Sequence, residues 1–129
     1  MGREQFFSRM GKARMVELAG TFACNGAAAP ASNAAGGQYS SEEVTITYAA
    51  TGKYTLTFTR KFAEQYGANA QLRMAEGTLA SSYAAINSIT LNSSGVLVIV
   101  IGTYNNADAA AAIAANAQNW VSWNIWVRA

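Results

Sequence analysis

The 129-residue chain has no histidine, a single cysteine and a single proline, and only 12% of its residues are charged. Without histidine it cannot build a Ser-His-Asp triad, a Cys-His pair or an imidazole metal site. One cysteine excludes an intrachain disulfide, a CxxC redox pair and a cysteine-built zinc site. We expect this residue, Cys24, to be a small buried or interfacial apolar side chain rather than a nucleophile.

Long hydrophobic runs are also missing. Val96–Ile101 is apolar throughout but six residues long, whereas a membrane helix needs about 18 apolar residues. Near the N-terminus the longest apolar stretch is Phe6-Phe7, which is far too short for the core of a signal peptide. The sequence therefore predicts neither secretion nor a membrane span, and its length suits a single domain.

Charge is scarce and unevenly distributed. Residues 1–14 hold four basic side chains and one acidic one, a net charge of +3. Residues 15–129 hold five basic and six acidic side chains, a net charge of −1. Alanine supplies 27 residues, so the surface is covered by Ala, Ser, Thr, Asn and Gln instead of ions. Such a surface favours a chain that packs against copies of itself and its partners.

The N-terminal segment differs in composition from the rest of the chain, and we interpret residues 1–39 as an arm and linker before a domain over 40–129. Residues 15–24 can form a first strand within this segment. Residues 25–39 are rich in Ala, Gly, Asn and Ser and contain the only proline. They show no apolar periodicity, which predicts a long loop or extended linker.

The basic arm itself allows two interpretations. Phe6, Phe7 and Met10 have helix-compatible spacing, so the arm could be a short amphipathic helix at a membrane or partner surface. Gly11 weakens such a helix, and we favour a terminus that orders only on contact. Its four positive charges are a small footprint for nucleic acid, and the rest of the chain is slightly acidic, so we favour an anionic protein surface as the partner.

A β-hairpin is the clearest local prediction. Apolar and threonine residues alternate over Val44–Tyr48 and again over Tyr54–Phe58, and the turn Ala49–Lys53, which contains glycine, joins the two runs. Two alternating runs with such a turn are typical of antiparallel strands. Each strand has an apolar side for a core and a threonine side, including Thr55 and Thr57, for water or a neighbour.

The remaining elements are also strands. We predict them over residues 70–74, 83–91, 96–101 and 120–128, with a polar turn over 92–95. The segment 107–117 has eight alanines in eleven residues, and it is either a short helix capped by Asp108 or a tightly packed loop. Together the elements predict an all-β fold, an antiparallel jelly-roll-like β-sandwich with an extended N-terminal arm.

All three tryptophans lie on the last predicted strand. Period-two alternation places Val121, Trp123, Ile125 and Val127 on one face and Ser122, Asn124, Trp126 and Arg128 on the other. Aromatic rings stack on sugar faces, so Trp126 with its polar neighbours is a candidate for glycan stacking. The favoured interpretation is that the tryptophans fill the core and a subunit interface.

Catalytic and metal chemistry has little support. Glu42 and Glu43 are adjacent, so on a strand they point to opposite faces. Glu64 and Glu76 could form a glycosidase-like carboxylate pair, although nothing local favours this over solvated surface charge. No calcium-loop spacing or phosphate-binding glycine loop is present. We therefore expect a protein that is not an enzyme and that uses no cofactor or metal.

Two segments carry a family resemblance. The hairpin Thr51–Phe58 follows a TGxYxhxF pattern, where h is hydrophobic, and the Ala/Asn-rich run Asn105–Asn119 leads directly into the aromatic strand Trp120–Arg128. This arrangement, over Val44–Ala129, resembles small virion proteins of tailed bacteriophages. The resemblance implies a capsid decoration (cement) protein or a related capsid-surface or fibre module. Such proteins commonly form trimers of β-rich subunits on the outside of the shell.

We accordingly expect a structural virion protein that binds the outer capsid surface as a homotrimer and stabilises the phage head. Its partners would be the major capsid protein and itself, with no nucleic acid and no membrane. The expected capsid-contact residues of the arm are Arg3, Phe6, Phe7, Arg9, Met10, Lys12 and Arg14. The expected subunit interface contains Thr55, Thr57, Ile113 and Trp126. The alternative is a carbohydrate-binding module of a phage fibre or capsid surface, with Trp126 stacking on the glycan.

Overall fold

The computed structural model describes residues 15–31, 43–74, 82–116 and 118–128. This part of the chain forms seven β-strands and no helix. The strands are β1 (Met15–Ala23), β2 (Val44–Ala50), β3 (Lys53–Phe58), β4 (Glu64–Arg73), β5 (Tyr83–Leu91), β6 (Leu97–Tyr104) and β7 (Trp120–Arg128).

The strands form two antiparallel sheets that pack against each other. The three-stranded sheet has the order β1-β7-β4, and the four-stranded sheet has the order β2-β3-β6-β5. The sheets approach each other closely where β4 and β5 run side by side. The predicted all-β antiparallel sandwich is therefore confirmed, whereas its jelly-roll-like character stays a prediction.

Alternating side chains from both sheets fill the space between them. The buried core includes Phe22 of β1, Val44 and Ile46 of β2, Tyr54, Leu56 and Phe58 of β3, Leu97, Ile99 and Ile101 of β6, and Val121, Trp123, Ile125 and Val127 of β7. Every second residue of β7 is buried, as its period-two pattern predicts. The last strand thus has one core face and one outward face.

The predicted hairpin is present as β2 and β3, joined at Thr51 and Gly52. Gly52 has a positive φ of 66°, which the turn requires and which glycine adopts without strain. Its carbonyl accepts a hydrogen bond of 2.7 Å from the backbone N–H of Thr103, so the turn lies against the end of β6. The threonine hydroxyl of Thr103 donates to the carbonyl of Ala111 at 2.7 Å.

The Ala/Asn-rich segment is a packed loop over its described residues 107–116 and contains no helix there. Asn105 organises the start of the loop, since its side-chain Oδ1 accepts hydrogen bonds from the backbone N–H groups of Ala107 and Ala109. Asp108 adopts a positive φ of 59°, which interrupts any helix that it could cap. Ile113 anchors the loop in the core, where it is only 4% exposed.

The first strand belongs to the sandwich. Met15–Ala23 pairs with β7 along its whole length, from Met15 opposite Arg128 to Ala23 opposite Trp120. The sandwich therefore includes residues that the sequence analysis assigned to the N-terminal arm and linker. Residues 1–14, with all the expected capsid-contact side chains, lie outside the described residues, and so does 32–42.

Candidate functional site

The outward face of the three-stranded sheet carries the two tryptophans that do not enter the core. Trp120 and Trp126 both point away from the buried side of β7 and are half-buried. Between them β7 presents Ser122 and Asn124 on the same face. We call this surface the tryptophan face; it is completed by Glu17, Ala19 and Thr21 of β1 and by Asn69, Gln71 and Arg73 of β4.

Cross-strand pairing aligns polar side chains in rows across the tryptophan face. Ala19 and Asn69 lie on either side of Asn124, and Thr21 and Gln71 lie on either side of Ser122. A shallow trough of about 580 Å³ lies over these rows, with Trp120 and Trp126 outside its lining, beyond its two ends on β7. The trough is lined by Glu17, Ala19, Asn69, Ala70, Gln71, Ser122, Trp123 and Asn124. The trough floor is thus made mainly of amide and hydroxyl groups, with one carboxylate.

The Trp126 end of the face holds a network of an acid, a phenol and a guanidinium. Tyr66, which is 42% exposed, donates its hydroxyl to Glu64 Oε2 at 2.9 Å. Arg128 Nη2 donates a hydrogen bond of 2.9 Å to Glu64 Oε1, and the two side chains form a salt bridge. These hydrogen bonds, from Tyr66 first and Arg128 second, lower the pKa of Glu64 and keep its carboxylate ionised. A low pKa is the opposite of what a general acid needs.

A β-bulge places Tyr66 in that network. Gln65 lies opposite Val127 and Gly67 lies opposite Trp126, so Tyr66 is the extra residue. Gly67 has a φ of 146°, within the range that favours glycine. At the other end of the face, the guanidinium of Arg73 lies 5.1 Å from the ring centroid of Trp120, a cation–π contact.

Trp123 has a different role from its two neighbours. It is 7% exposed and packs edge-on against Phe58, with ring centroids 5.5 Å apart. Gly20 of β1 lies opposite it and leaves room for its indole ring. Of the tryptophans expected in the core and a subunit interface, the core accounts for Trp123 alone, while Trp120 and Trp126 face outward.

The outward face of the four-stranded sheet has a second distinct chemistry. Its first row is Thr45, Thr57, Val98 and Thr90, and its second row is Thr47, Thr55, Val100 and Ser88, each residue lying opposite the next. We call these eight residues the threonine face. None of them is charged, and Thr55, Thr57, Val98 and Val100 in its centre are half-buried.

The four residues expected at a subunit interface do not share a surface. Thr55 and Thr57 belong to the threonine face, whereas Trp126 lies on the tryptophan face of the other sheet. Ile113 is buried within the core of its own subunit, so its assignment to an interface is corrected. Ile113 is the only large apolar side chain in its segment, and the sequence does not distinguish a residue that anchors a loop in its own core from one that packs against a neighbour.

A cleft separates the free edges of β1 and β2. It has a volume of about 350 Å³, and its lining includes the apolar side chains of Leu18, Val44, Phe58, Phe62 and Trp123. The charged residues Glu17, Glu43 and Arg60 also line it. The cleft gives access to the side of Trp123.

The other candidate reactive groups have structural roles. Cys24 is buried, and burial raises the pKa of its thiol to about 11, so it stays protonated at neutral pH, as expected of a core residue. Glu42 and Glu76, one member of each acidic pair, lie outside the described residues. Within the described ranges no three metal-ligating side chains cluster, and no helix has the length and hydrophobicity to cross a membrane.

Comparison with known proteins finds no matching family model, no similar curated protein and no similar solved structure. Function is therefore inferred from the two outward faces. The eight residues of the threonine face carry no charge, although the exposed Lys53 lies one row beyond them, and the other face combines aromatic rings with a polar trough.

Proposed function

We propose that the protein is a non-enzymatic structural protein of a tailed-phage particle, a capsid decoration protein that binds the outer surface of the head as a homotrimer. The observation that carries the proposal is the threonine face. Two complete rows across four strands present short, uncharged side chains. A surface without charge loses little solvation when another protein covers it, since buried unpaired charges are costly.

The threonine face is too small to form a stable interface by itself, so other surfaces must contribute. Four strands at about 4.8 Å spacing and two rows of side chains about 7 Å apart along the strands give a face of roughly 250 Å². A stable interface buries about 800 Å² on each partner. The face therefore supplies about a third of what one stable contact needs, and in the proposal the basic arm of residues 1–14 supplies further contacts on the major capsid protein.

Symmetry makes the trimer testable. A face that packs against its own copy gives a two-fold dimer, whereas a ring of three requires that it meet a different surface of the next subunit. Sedimentation at micromolar concentration therefore distinguishes the proposed trimer from a dimer or a monomer, and either of these contradicts the assembly part of the proposal.

A charge substitution tests the threonine face directly. In Thr55→Arg a guanidinium stands in the centre of the face, and we expect it to dissociate the trimer. Ser93→Arg is the matched control, because it adds the same charge in the exposed turn between β5 and β6, which belongs to neither named face, and it should leave the trimer intact. If Thr55→Arg sediments as the unmodified trimer does, the threonine face is not the subunit contact.

The arm is tested separately on capsids. Deletion of residues 1–14 leaves all of β1 in place, whereas a longer deletion would remove the strand that pairs with β7. We expect the shortened protein to remain folded and to occupy undecorated capsids less well than the full chain. Undiminished occupancy would show that Arg3, Phe6, Phe7, Arg9, Met10, Lys12 and Arg14 do not contact the capsid.

A further inference from the structure

We propose that the trough on the tryptophan face binds a neutral oligosaccharide, with Trp126 as the stacking surface beyond one end; the other end is closed by Trp120, whose ring already packs against Arg73. This site lies on the other sheet from the threonine face, and it requires that no other subunit covers the trough.

The tryptophan face combines the two kinds of side chain that recognise a sugar. A sugar ring has apolar C–H faces and a rim of hydroxyl groups, so it is recognised by an aromatic ring together with amides and carboxylates that exchange hydrogen bonds with the rim. The tryptophan face supplies both kinds of group: half-buried indoles on β7 and the polar residues Asn69, Gln71, Ser122 and Asn124. An amide both donates and accepts, which matches the dual character of a hydroxyl.

The tryptophan face is long and low enough to hold an extended chain of sugars. The two tryptophans are six residues apart on one strand, which is about 20 Å at roughly 3.3 Å per residue. The short side chains of Ala19 and Ser122 keep the space between them low, so the surface forms a trough rather than a ridge. This length fits a short oligosaccharide chain lying along β7 better than a single sugar.

The charged side chains around the trough favour a neutral ligand. Arg128 is paired with Glu64, and Arg73 lies against the ring of Trp120, so both guanidinium groups already have local contacts. Glu17 contributes a carboxylate to the trough lining. A negatively charged glycan would meet this carboxylate without an offsetting cation on the trough floor, and the site therefore favours neutral sugars.

Binding can be detected through the three tryptophan side chains themselves. The full chain labelled with ¹⁵N gives one indole N–H signal for each tryptophan. We would titrate it with neutral hexasaccharides of glucose, galactose, mannose and N-acetylglucosamine. We expect at least one of them to shift the Trp126 signal saturably. If none shifts the Trp126 signal at millimolar concentration, the proposal is overturned.

Substitutions then test the site with the hexasaccharide that binds. Loss of one aromatic contact is worth about tenfold in affinity, so Trp126→Ala should weaken binding by about that factor, and Trp126→Phe should weaken it less. Asn124→Ala removes only an amide and serves as a second variant if Trp126→Ala does not fold. Tyr83→Ala is the control, because Tyr83 is an exposed aromatic residue outside the tryptophan face.

The outcomes separate this proposal from a protein-binding role of the same face. Weaker binding in Trp126→Ala and Asn124→Ala, with unchanged binding in Tyr83→Ala, supports the site. Affinities within twofold of the unmodified chain for both trough variants overturn it. Dissociation of the oligomer by Asn124→Ala would show that another subunit covers the trough, and it would overturn the proposal as well.

Discussion

Two glycines with the same backbone conformation allow a controlled test of the hairpin packing. Gly52 in the β2–β3 turn has a φ of 66°, and Gly26 after β1 has a φ of 64°. A Cβ added at Gly52 would lie 2.6 Å from the carbonyl oxygen of Thr103 and 2.8 Å from both the backbone nitrogen and oxygen of Ala111. A Cβ added at Gly26 would meet nothing within 4 Å.

Alanine at either position therefore carries the same conformational cost, but only one position carries a steric cost. The left-handed conformation costs about 1–2 kcal/mol for a residue with a Cβ. At Gly52 the blocking atoms belong to the backbone and cannot rotate away, so overpacking adds about 1–3 kcal/mol. We expect Gly26→Ala to destabilise the fold by about 1–2 kcal/mol and Gly52→Ala by about 2–5 kcal/mol. Alanine also lowers the conformational entropy of the unfolded chain, and this effect is the same at both positions.

Urea unfolding of the two variants measures this difference, and thermal melts give an independent value at roughly 4 °C per kcal/mol. Equal destabilisation by Gly52→Ala and Gly26→Ala would refute the reasoning, because it would mean that the loop 105–116 does not hold the turn closely. A larger loss of stability in Gly26→Ala than in Gly52→Ala would refute it more strongly, since at Gly26 only the left-handed backbone conformation opposes alanine.

Three further predictions concern the core and the Trp126 network. A Cβ at Gly20 would lie 2.6 Å from Trp123 Cζ2, so Gly20→Ala should cost about 1–3 kcal/mol in urea unfolding. Its cost should shrink in a Trp123→Phe background, and additive costs would contradict the contact. Burial raises the Cys24 pKa from 9.0 to about 11. The unfolded thiol therefore loses its proton first, and stability should fall by about 2–3 kcal/mol as pH rises between these values. Cys24→Ala should flatten that part of the pH profile of unfolding, and an unchanged slope would contradict it. NMR titration should find a Glu64 pKa below the ordinary value, and Tyr66→Phe should raise it; no change would show that the phenol is not a donor.

The architecture was predictable because most strands follow a simple period of two. Tyr83–Leu91 and Trp120–Arg128 form strands with the predicted bounds. By contrast, β4 begins at Glu64, six residues before the predicted start at residue 70. The extra residue Tyr66 shifts the alternation by one position, and the small residues after it give little contrast between the two faces, so the first half of β4 had no clear pattern.

The resemblance motif has a structural explanation within a single subunit. Gly52 of the TGxYxhxF pattern makes the left-handed turn, and Tyr54, Leu56 and Phe58 are the buried residues of β3. Each of these positions of the hairpin is therefore required by the turn or by packing. The motif predicts the β2–β3 hairpin well, and it is independent of the outward surfaces on which the proposed functions depend.

The candidate site was only half predictable. Period two along β7 correctly separates Trp126 from Trp123, because the alternation is local. The trough also needs Asn69 and Gln71, which lie more than fifty residues away and reach Asn124 and Ser122 only through the pairing of β4 with β7. Amide residues alternating with small apolar ones in β4 were the available signal, but the sequence alone does not give the partner strand or its register.

The two proposed functions are compatible because the sandwich separates their surfaces. The threonine face and the tryptophan face belong to different sheets, and the shared core lies between them. A subunit held through its threonine face therefore turns the trough away from that contact. Under this arrangement Thr55→Arg should reduce assembly while leaving sugar binding unchanged, and Trp126→Ala should do the reverse. If either substitution impaired both properties in a folded protein, the two faces would not act independently, and the arrangement of the subunit would have to place them in a common interface.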